Sequence, residues 1–276
     1  MLIRIGYDLV YNFAAPTSMV LLLSVHPSEA HRLQRLDTPH SEPDVPIREF
    51  TDVFGNRSHR LVAPAGRLHL FTEAIVEDSG LLEVAVPDAY QHPVHELPDE
   101  CLPFLLASRY CEVAEMLPVA WDMFGDTEPG WGRVQAICDW GFENVEFGYK
   151  FARPSKTAKD TFHERRGVCR DFTHLAVTFC RCMNIPARYC NGYLGDIGVP
   201  PDPNPMDFNA WMEVYLGGRW HMFDPRHNTP RIGRVLMTRG RDAVDIAMTT
   251  AFGANKLEKF TVVTEEISKS PARAAA

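Results

Sequence analysis

The sequence predicts an α+β protein in which an N-terminal β-sandwich is followed by a unit of mixed helices and strands. Residues 3–11 alternate in hydrophobicity with the period of a half-buried strand. Apolar residues at helical spacing come later, in GWGRVQAICDW and in the segment after Cys169. Between these regions, DAYQHPVHELP has the composition of a linker. The change of period therefore predicts two consecutive units.

The first unit is predicted over residues 1–90 and the second over residues 96–265. Three further apolar stretches, separated by Pro, Gly, Asn and Asp, are strand candidates that a β-sandwich would bury: 19–25, 66–72 and 81–86. In the second unit, VEFGYKF is a short strand candidate and Thr157 is a candidate helix cap. Residues 266–276, which end in SPARAAA, are predicted to form a disordered tail.

Composition and charge narrow the classes of function. The 276 residues carry a formal net charge of −8 and no long basic run, which argues against nucleic acid and anionic membranes as partners. The N-terminal stretch lacks the pattern of a signal peptide, and the longest aliphatic block is too short to span a bilayer. Seven irregularly spaced cysteines fit a reducing compartment better than a disulfide framework. We therefore expect a cytoplasmic protein, of an oligomeric state that these features do not determine.

Cys169 is predicted to lie in the first turn of a buried helix. The apolar residues after it recur at helical spacing and form one stripe: Phe172, Leu175, Ala176, Phe179 and Met183. The helix should end before Pro186, and its polar face is expected to carry Arg170, His174 and Arg181. A helix N-terminus favours a thiolate and can stabilise an oxyanion, whereas a lone cysteine is more commonly a small buried residue. The helix alone leaves these two interpretations level.

The segment DFNAWMEVYLGGRWHMFDP predicts a β-hairpin with a two-residue turn at Gly217-Gly218. One face of its first strand carries four alternating side chains: Asn209, Trp211, Glu213 and Tyr215. The turn sets Trp211 opposite Asp224, so Asp224 shares that face and is a diagonal neighbour of Asn209. Together with Cys169, these two residues have the layout of a nucleophile, a base position and an orienting acid. An Asp before a Pro can also simply begin a turn.

These motifs together resemble the transglutaminase-like superfamily of cysteine proteases and amidases. The resemblance rests on GVCRDFTHLA, IPARYCNGY and DFNAWMEVYLGGRWHMFDP, and it extends to bacterial members that have an N-terminal β domain. It implies a papain-like α+β core with a Cys-His-Asp triad and no cofactor. Carried over by motif, Cys169 is the catalytic nucleophile and Asp224 the orienting acid, while Asn209 stands where the family has its basic His. The sequence has neither a calcium loop nor zinc-ligand spacing, so no metal is expected.

Asn209 puts the activity in question, because an amide has no nitrogen that titrates near neutral pH. Among other histidines, His221 alternates onto the opposite hairpin face. His227 lies past the strand end, where parity no longer applies, and His163 precedes the cysteine helix. None of them is favoured as a substitute base. Three interpretations stay open: an active amidase lineage altered at residue 209, a pseudoenzyme that binds peptide or acyl ligands in the same groove, and a scaffold that works through its β domain.

If the site is active, it would transfer the acyl group of a peptide or protein amide through a thioester on Cys169. Water would complete a hydrolysis and an amine a transamidation; hydrolysis is preferred because water is always present. Trp211 and Tyr215 are predicted to line the substrate groove, with Glu213 contacting a basic substrate group. The alternatives are that both rings belong to the core and that Glu213 pairs with an arginine of this chain.

Overall fold

The computed structural model describes residues 1–267. Four short 3-10 turns occur at Pro27–Arg32, Val94–Glu96, Asp99–Leu105 and Tyr149–Phe151 in this part of the chain. The strands and α-helices follow in this order: β1 (Leu2–Phe13), β2 (Thr17–Leu21), β3 (Leu33–Arg35), β4 (His40–Glu42), β5 (Arg48–Thr51), β6 (Arg57–Ala63), β7 (Gly66–Glu77), α1 (Val113–Phe124), α2 (Trp131–Asn144), β8 (Glu146–Phe147), α3 (Ala158–Glu164), β9 (Arg166–Gly167), α4 (Cys169–Cys182), β10 (Ala187–Tyr193), β11 (Asn209–Leu216), β12 (Arg219–Phe223), β13 (Val235–Gly240), β14 (Thr249–Ala251) and β15 (Asn255–Glu266).

The N-terminal region forms the predicted β-sandwich. One sheet has the order β15-β1-β7-β3, with β4 also paired to β7, and the other has the order β14-β2-β6-β5. Alternate residues of β1, among them Ile3, Ile5 and Leu9, are buried between the sheets. The predicted strand at 81–86 is not formed: this segment is extended without a ladder, and Leu81 and Val84 are exposed. The α+β fold class is confirmed.

The C-terminal strands return to the sandwich and complete both of its sheets. β15 pairs antiparallel with β1 along almost its whole length, and β14 pairs with β2. The predicted division, which left residues up to 265 in the second unit, therefore differs from the structure. The physical reason is that β1 and β2 would otherwise present unpaired edges. Glu266 is the last residue of β15, and the N–H of Ile267 donates to the carbonyl of Leu2, so the first two residues of the predicted tail are ordered. The other residues of that tail, 268–276, lie outside the described residues.

The second unit is built around α4. A sheet of order β12-β11-β10-β13 packs on this helix, and α1, α2 and α3 cover its other sides. The expected solvated face is therefore absent from α4, because every residue from Asp171 to Cys182 is buried. Arg181 donates hydrogen bonds to backbone carbonyls of three separate segments, and His174 stacks between two tyrosine rings. These polar groups fasten the helix within the fold.

Several local predictions agree with the structure. Thr157 caps α3 through its hydroxyl, which accepts from the N–H of Asp160. The hairpin of β11 and β12 turns at Gly217-Gly218 with Leu216 opposite Arg219, as the turn chemistry predicts. Within residues 1–267, no helix has the length and apolar character needed to cross a bilayer.

Candidate active site

Local contacts fix the start of α4 at Cys169. Val168 is extended, with φ −110° and ψ 175°, and the Asp171 carboxylate accepts a hydrogen bond from its N–H at 3.0 Å. Arg170 Nη2 donates to the other oxygen of Asp171 at 2.9 Å. A Cβ on Gly167 would lie 2.7 Å from the Cβ of Asp171, so the chain must enter the helix through a glycine. These contacts hold Cys169 in the first turn.

Cys169 lies where two concavities meet. The first concavity is lined by Asn209 and His227 and has several acidic side chains at its rim. The second is a larger and mainly apolar groove with a cavity volume of about 640 Å³. Cys169, Asp207 and Asn209 border both concavities. Of the seven cysteines, all of which lie in the described part of the chain, Cys169 is the one that is not buried.

The sulfur of Cys169 lies against the backbone of β11. The N–H of Ala210 donates a hydrogen bond to this sulfur and is also 2.9 Å from Asn209 Oδ1. Burial raises the pKa of the thiol to about 12, and the charge of Asp207 acts in the same direction. The Ala210 N–H and the Arg226 guanidinium lower this pKa by less. The resting group is therefore a protonated thiol, and the thiolate expected from the helix N-terminus alone is not favoured.

His227 stands between Asn209 and Asp224. Its Nδ1 is 2.9 Å from Asp224 Oδ2 and 3.5 Å from Asn209 Nδ2. The predicted neighbours on the hairpin are thus bridged by an imidazole ring. His227 was not favoured as a base from the sequence, although the spacing D-P-x-H is a local signal for its position. An Asp often accepts a hydrogen bond from a backbone N–H two or three residues later, and Asp224 Oδ1 accepts from the N–H of His227 at 3.0 Å.

The Asp224 carboxylate is buried and hydrogen-bonded at both oxygens. Oδ1 accepts from the N–H groups of Arg226 and His227, at 3.1 and 3.0 Å. Oδ2 accepts from His227 Nδ1 and from Arg234 Nη2, both at 2.9 Å. Burial by itself would raise the pKa of this carboxyl, but the Arg234 guanidinium and His227 hold it well below its usual range. Asp224 is therefore charged at neutral pH and has a fixed orientation.

Arg234 supports Asp224 from behind. Its Nε donates to Glu83 Oε1 at 2.7 Å, and its guanidinium lies 4.6 Å from the centre of the Trp211 ring. Glu83 belongs to the extended segment that leaves the β-sandwich, so the connection between the two units contributes to the site. Arg234 was not predicted from the sequence, because no pattern pairs it with Asp224 across the loop before β13.

The partners of His227 assign its tautomer. Nδ1 faces the Asp224 carboxylate and must donate, while Arg226 Nη1 contacts Nε2. Because a guanidinium can only donate hydrogen bonds, Nε2 carries a lone pair. Burial lowers the pKa of His227, Asp224 raises it, and the charge of Arg226 lowers it further. His227 is therefore a neutral imidazole whose proton points to Asp224.

The three residues predicted to bind substrate lie away from both concavities at Cys169. Trp211 is 1% exposed and packs in a small cluster with Cys190 and Leu236. The ring of Tyr215 packs near the hairpin turn against two other rings. Glu213 is paired with two arginines of this chain. Both rings are therefore packed against other side chains of this protein, and Glu213 pairs with its arginines, as the alternative interpretations stated.

These side chains lie away from Cys169 because α4 packs on the opposite face of β11. α4 lies against the even-numbered face of β11, where Met212, Val214 and Leu216 share its core. Trp211 and Glu213 therefore point away from Cys169. Asn209 still borders the cavity because it is the first residue of β11, where the sheet ends.

The other two histidines considered from the sequence lie away from the thiol. His221 is buried, with Nε2 3.2 Å from the carbonyl oxygen of Leu216. His163 is exposed on α3, with its ring against Phe162. Neither residue lines the two concavities that border Cys169.

We expect Cys169 to show no thiolate between about pH 5 and pH 9, because a raised thiol pKa delays the charged form until the pH approaches that value. The measurement is the ultraviolet absorbance of thiolate against pH, taken as the difference between this chain and Cys169→Ser. Subtraction cancels the tyrosines and the buried cysteines. An inflection of the difference signal below about pH 8 would contradict the prediction.

Comparisons with known proteins agree with this architecture. The model of the transglutaminase-like superfamily matches residues 120–225. The crystal structure of a "putative cysteine protease" from Cytophaga hutchinsonii matches with a TM-score of 0.85 and 32% identity, covering 98% of this chain and 92% of that one. An uncharacterized protein of Mycobacterium leprae is 34% identical over 120 residues, which are 41% of this chain and 42% of that protein. The match thus spans less than half of this curated relative.

The first two matches define the class, which is an α+β protein built on a transglutaminase-like core. The chain belongs to the transglutaminase-like superfamily, which includes cysteine proteases.

Proposed function

We propose that this protein is a thiol hydrolase that cleaves an amide or peptide bond through a thioester on Cys169. The observation that carries the proposal is the position of Cys169, the partly exposed cysteine at the N-terminus of α4 and at the meeting point of two concavities. A structural cysteine would be expected in the interior, where the other six lie. A nucleophile has to be reachable by its substrate.

The reaction class follows from the groups around the sulfur. Sγ bonds to the carbonyl carbon, and the N–H groups of the first turn of α4 are donors for the oxygen as it becomes negative. The C–N bond then breaks and the amine leaves with a proton, which gives the thioester. Water attacks the thioester, the C–S bond breaks, and the acid is released. An amine in place of water would give transamidation, and hydrolysis is preferred because the cavity is open to water.

The two concavities suit the two sides of the scissile bond. The larger groove is mainly apolar, and its volume lies within the roughly 300–1,000 Å³ that is typical of ligand pockets, so we assign to it the acyl side of a peptide or protein substrate. The first concavity is bordered by Asp196, Asp202 and Asp207, whose negative charges are complementary to a released amine. We therefore assign the amine side of the bond to the first concavity.

The test is to trap the thioester. We expect incubation with p-nitrophenyl acetate or with peptide p-nitroanilides, followed by acid quenching, to give an acyl adduct on Cys169 by peptide mass spectrometry. The matched control is Cys169→Ala, which keeps the other six cysteines and should give no adduct. Adducts distributed over other residues, or none, would contradict the hydrolase.

A second candidate function is a pseudoenzyme that binds peptide or acyl ligands in the same groove. Asn209 at the base position of the family is the observation that favours it. This candidate predicts that peptides protect Cys169 from alkylation by iodoacetamide although no thioester forms. The two candidates are therefore separated by the same mass spectra.

A further inference from the structure

We propose that His227 is the general base of this site, and that it reaches from the turn after β12 the place that a histidine at residue 209 would fill. The inference deepens the proposed function and rests on it, since a proton acceptor matters only if Cys169 is acylated. If His227 is the base, Asn209 is part of a rearranged active site and does not indicate that activity has been lost.

His227 is connected to Cys169 through Asn209. Cys169 Sγ and Asn209 Oδ1 both face the N–H of Ala210, and the amide of Asn209 is in turn 3.5 Å from His227. Cys169, Asn209 and His227 also line the same concavity. The imidazole therefore lies one small side chain away from the sulfur, on the side assigned to the leaving amine. A base must be on that side, because it later returns the proton to the amine.

Hydrogen bonds set the orientation of the His227 ring. Nδ1 of His227 donates to Asp224, and this carboxylate is itself held by Arg234. That arrangement leaves the lone pair on Nε2, which is the nitrogen that a nucleophile–base–orienter triad needs. In the structure this nitrogen is contacted by Arg226, a half-buried side chain at the rim of the concavity. For Nε2 to accept the thiol proton, Arg226 must first move away from this lone pair and the ring must approach Sγ.

Asn209 has a short side chain next to the ring of His227. Asn209 is close enough to His227 that an imidazole at residue 209 would compete with the ring of His227 for the same volume and for the same oxygen of Asp224. A short side chain at residue 209 therefore makes room for His227. His227 then supplies the single imidazole that the reaction uses, and Asn209 leaves the space for it.

The proton steps balance with His227 as the base. Nε2 takes the proton of Cys169 as Sγ bonds to the carbonyl carbon, and the imidazolium gives that proton to the amine nitrogen as the C–N bond breaks. In the second half, Nε2 takes a proton from water as its oxygen attacks the thioester. The same proton returns to sulfur as the C–S bond breaks. Asp224 stays charged throughout and stabilises the imidazolium.

The experiment is a double-mutant cycle on residues 209 and 227, read as the rate at which p-nitrophenyl acetate acylates Cys169. We expect His227→Ala to lower this rate by about a hundredfold or more. Asn209→His alone should give no gain, because the new ring meets His227. Asn209→His combined with His227→Ala should recover at least about tenfold over His227→Ala, because the imidazole then stands at the position of the family base.

A second readout separates a proton acceptor from a structural role. We expect free imidazole to restore part of the activity of His227→Ala, since it can enter the space left by the ring and accept the thiol proton. The matched control is His163→Asn, which replaces an exposed histidine on α3. This variant should acylate Cys169 at the full rate, and free imidazole should not change that rate. His227→Gln, which keeps a polar group beside Asp224, should fold and lose activity to a similar extent.

The outcomes are distinct. Acylation of Cys169 that is unchanged by His227→Ala and His227→Gln would overturn the inference and leave the hydrolase intact. A gain in the single variant Asn209→His would also overturn it, because it would show that the site lacks a base. No acylation of Cys169 above the Cys169→Ala background in any variant would remove both the proposed function and the base. Loss in both His227 variants, with rescue by imidazole, is the expected result.

Discussion

Asp224→Asn is expected to reduce the rate of Cys169 acylation by about a thousandfold. The carboxylate accepts a hydrogen bond from His227 Nδ1, and this contact holds the proton on that nitrogen. An amide at this position can present its NH₂ group to the ring, which favours the tautomer with the proton on Nε2. That tautomer cannot accept the proton of the thiol, and the corresponding Asp→Asn change in serine proteases costs about ten-thousandfold in turnover.

The measurement for Asp224→Asn is the acylation rate by p-nitrophenyl acetate across pH, together with the free energy of unfolding. The matched control is Asp245→Asn, because Asp245 is also a carboxylate of low exposure that pairs with an arginine, but its hydrogen bonds go to Arg241 and not to His227. We expect the control to lose stability without losing acylation. Equal acylation rates in this chain and in Asp224→Asn would contradict the role of Asp224.

Arg234→Met is expected to lower the free energy of unfolding at neutral pH by about 4 kcal/mol. The guanidinium is 8% exposed and lies between Asp224 and Glu83, so its removal leaves two carboxylates without their cation. Breaking a buried pair by removing one partner typically costs about 3–5 kcal/mol, because the remaining charge is uncompensated. Methionine keeps contact with the Trp211 ring, which limits the loss of packing.

The sign of the pH dependence follows from Asp224. Its folded-state pKa is held below the unfolded value of about 4, so its contribution is present above that pH and is lost as the pH falls towards the folded-state pKa. The stability difference between this chain and Arg234→Met should therefore be largest at neutral pH and shrink below about pH 4. This difference is measured by urea unfolding of both proteins at several pH values.

Arg35→Met is the control for Arg234→Met. Arg35 pairs with Glu73 on the outer surface of the sandwich, where both side chains are about half exposed. An exposed pair contributes about 0–1 kcal/mol, so this variant should change stability little at any pH. If both arginine variants lost similar free energies of unfolding, the burial of the Arg234 network would not be the cause of its contribution to stability.

Periodicity and turn chemistry in the sequence predicted the elements that carry the site. The i, i+3, i+4 spacing after Cys169 predicted α4, and the Gly217-Gly218 turn predicted the register of the hairpin. Both signals arise among residues that are close in the chain, where backbone geometry alone decides which side chains share a face. The start of the helix and the proximity of Asn209 to Asp224 could therefore be predicted without the structure.

The face of β11 that meets the helix was not accessible to the same reasoning. Alternation separates Asn209 and Trp211 from Met212 and Val214, but both sets contain large apolar side chains. The site face was assigned from the position of Asp224, and the structure places α4 on the other side. Two buried faces give no hydrophobic contrast, so only the packing of the helix distinguishes them.

Local sequence patterns were sufficient to predict the α+β class, the helix that begins at Cys169 and the hairpin that ends at Asp224. The tertiary structure decided that β15 returns to β1, that Trp211 is core, that burial keeps Cys169 protonated, and that His227 and Arg234 flank Asp224. Each of these depends on residues that are brought together by folding of distant segments or by a turn outside regular structure. Neither hydrophobic period nor strand parity extends to such contacts.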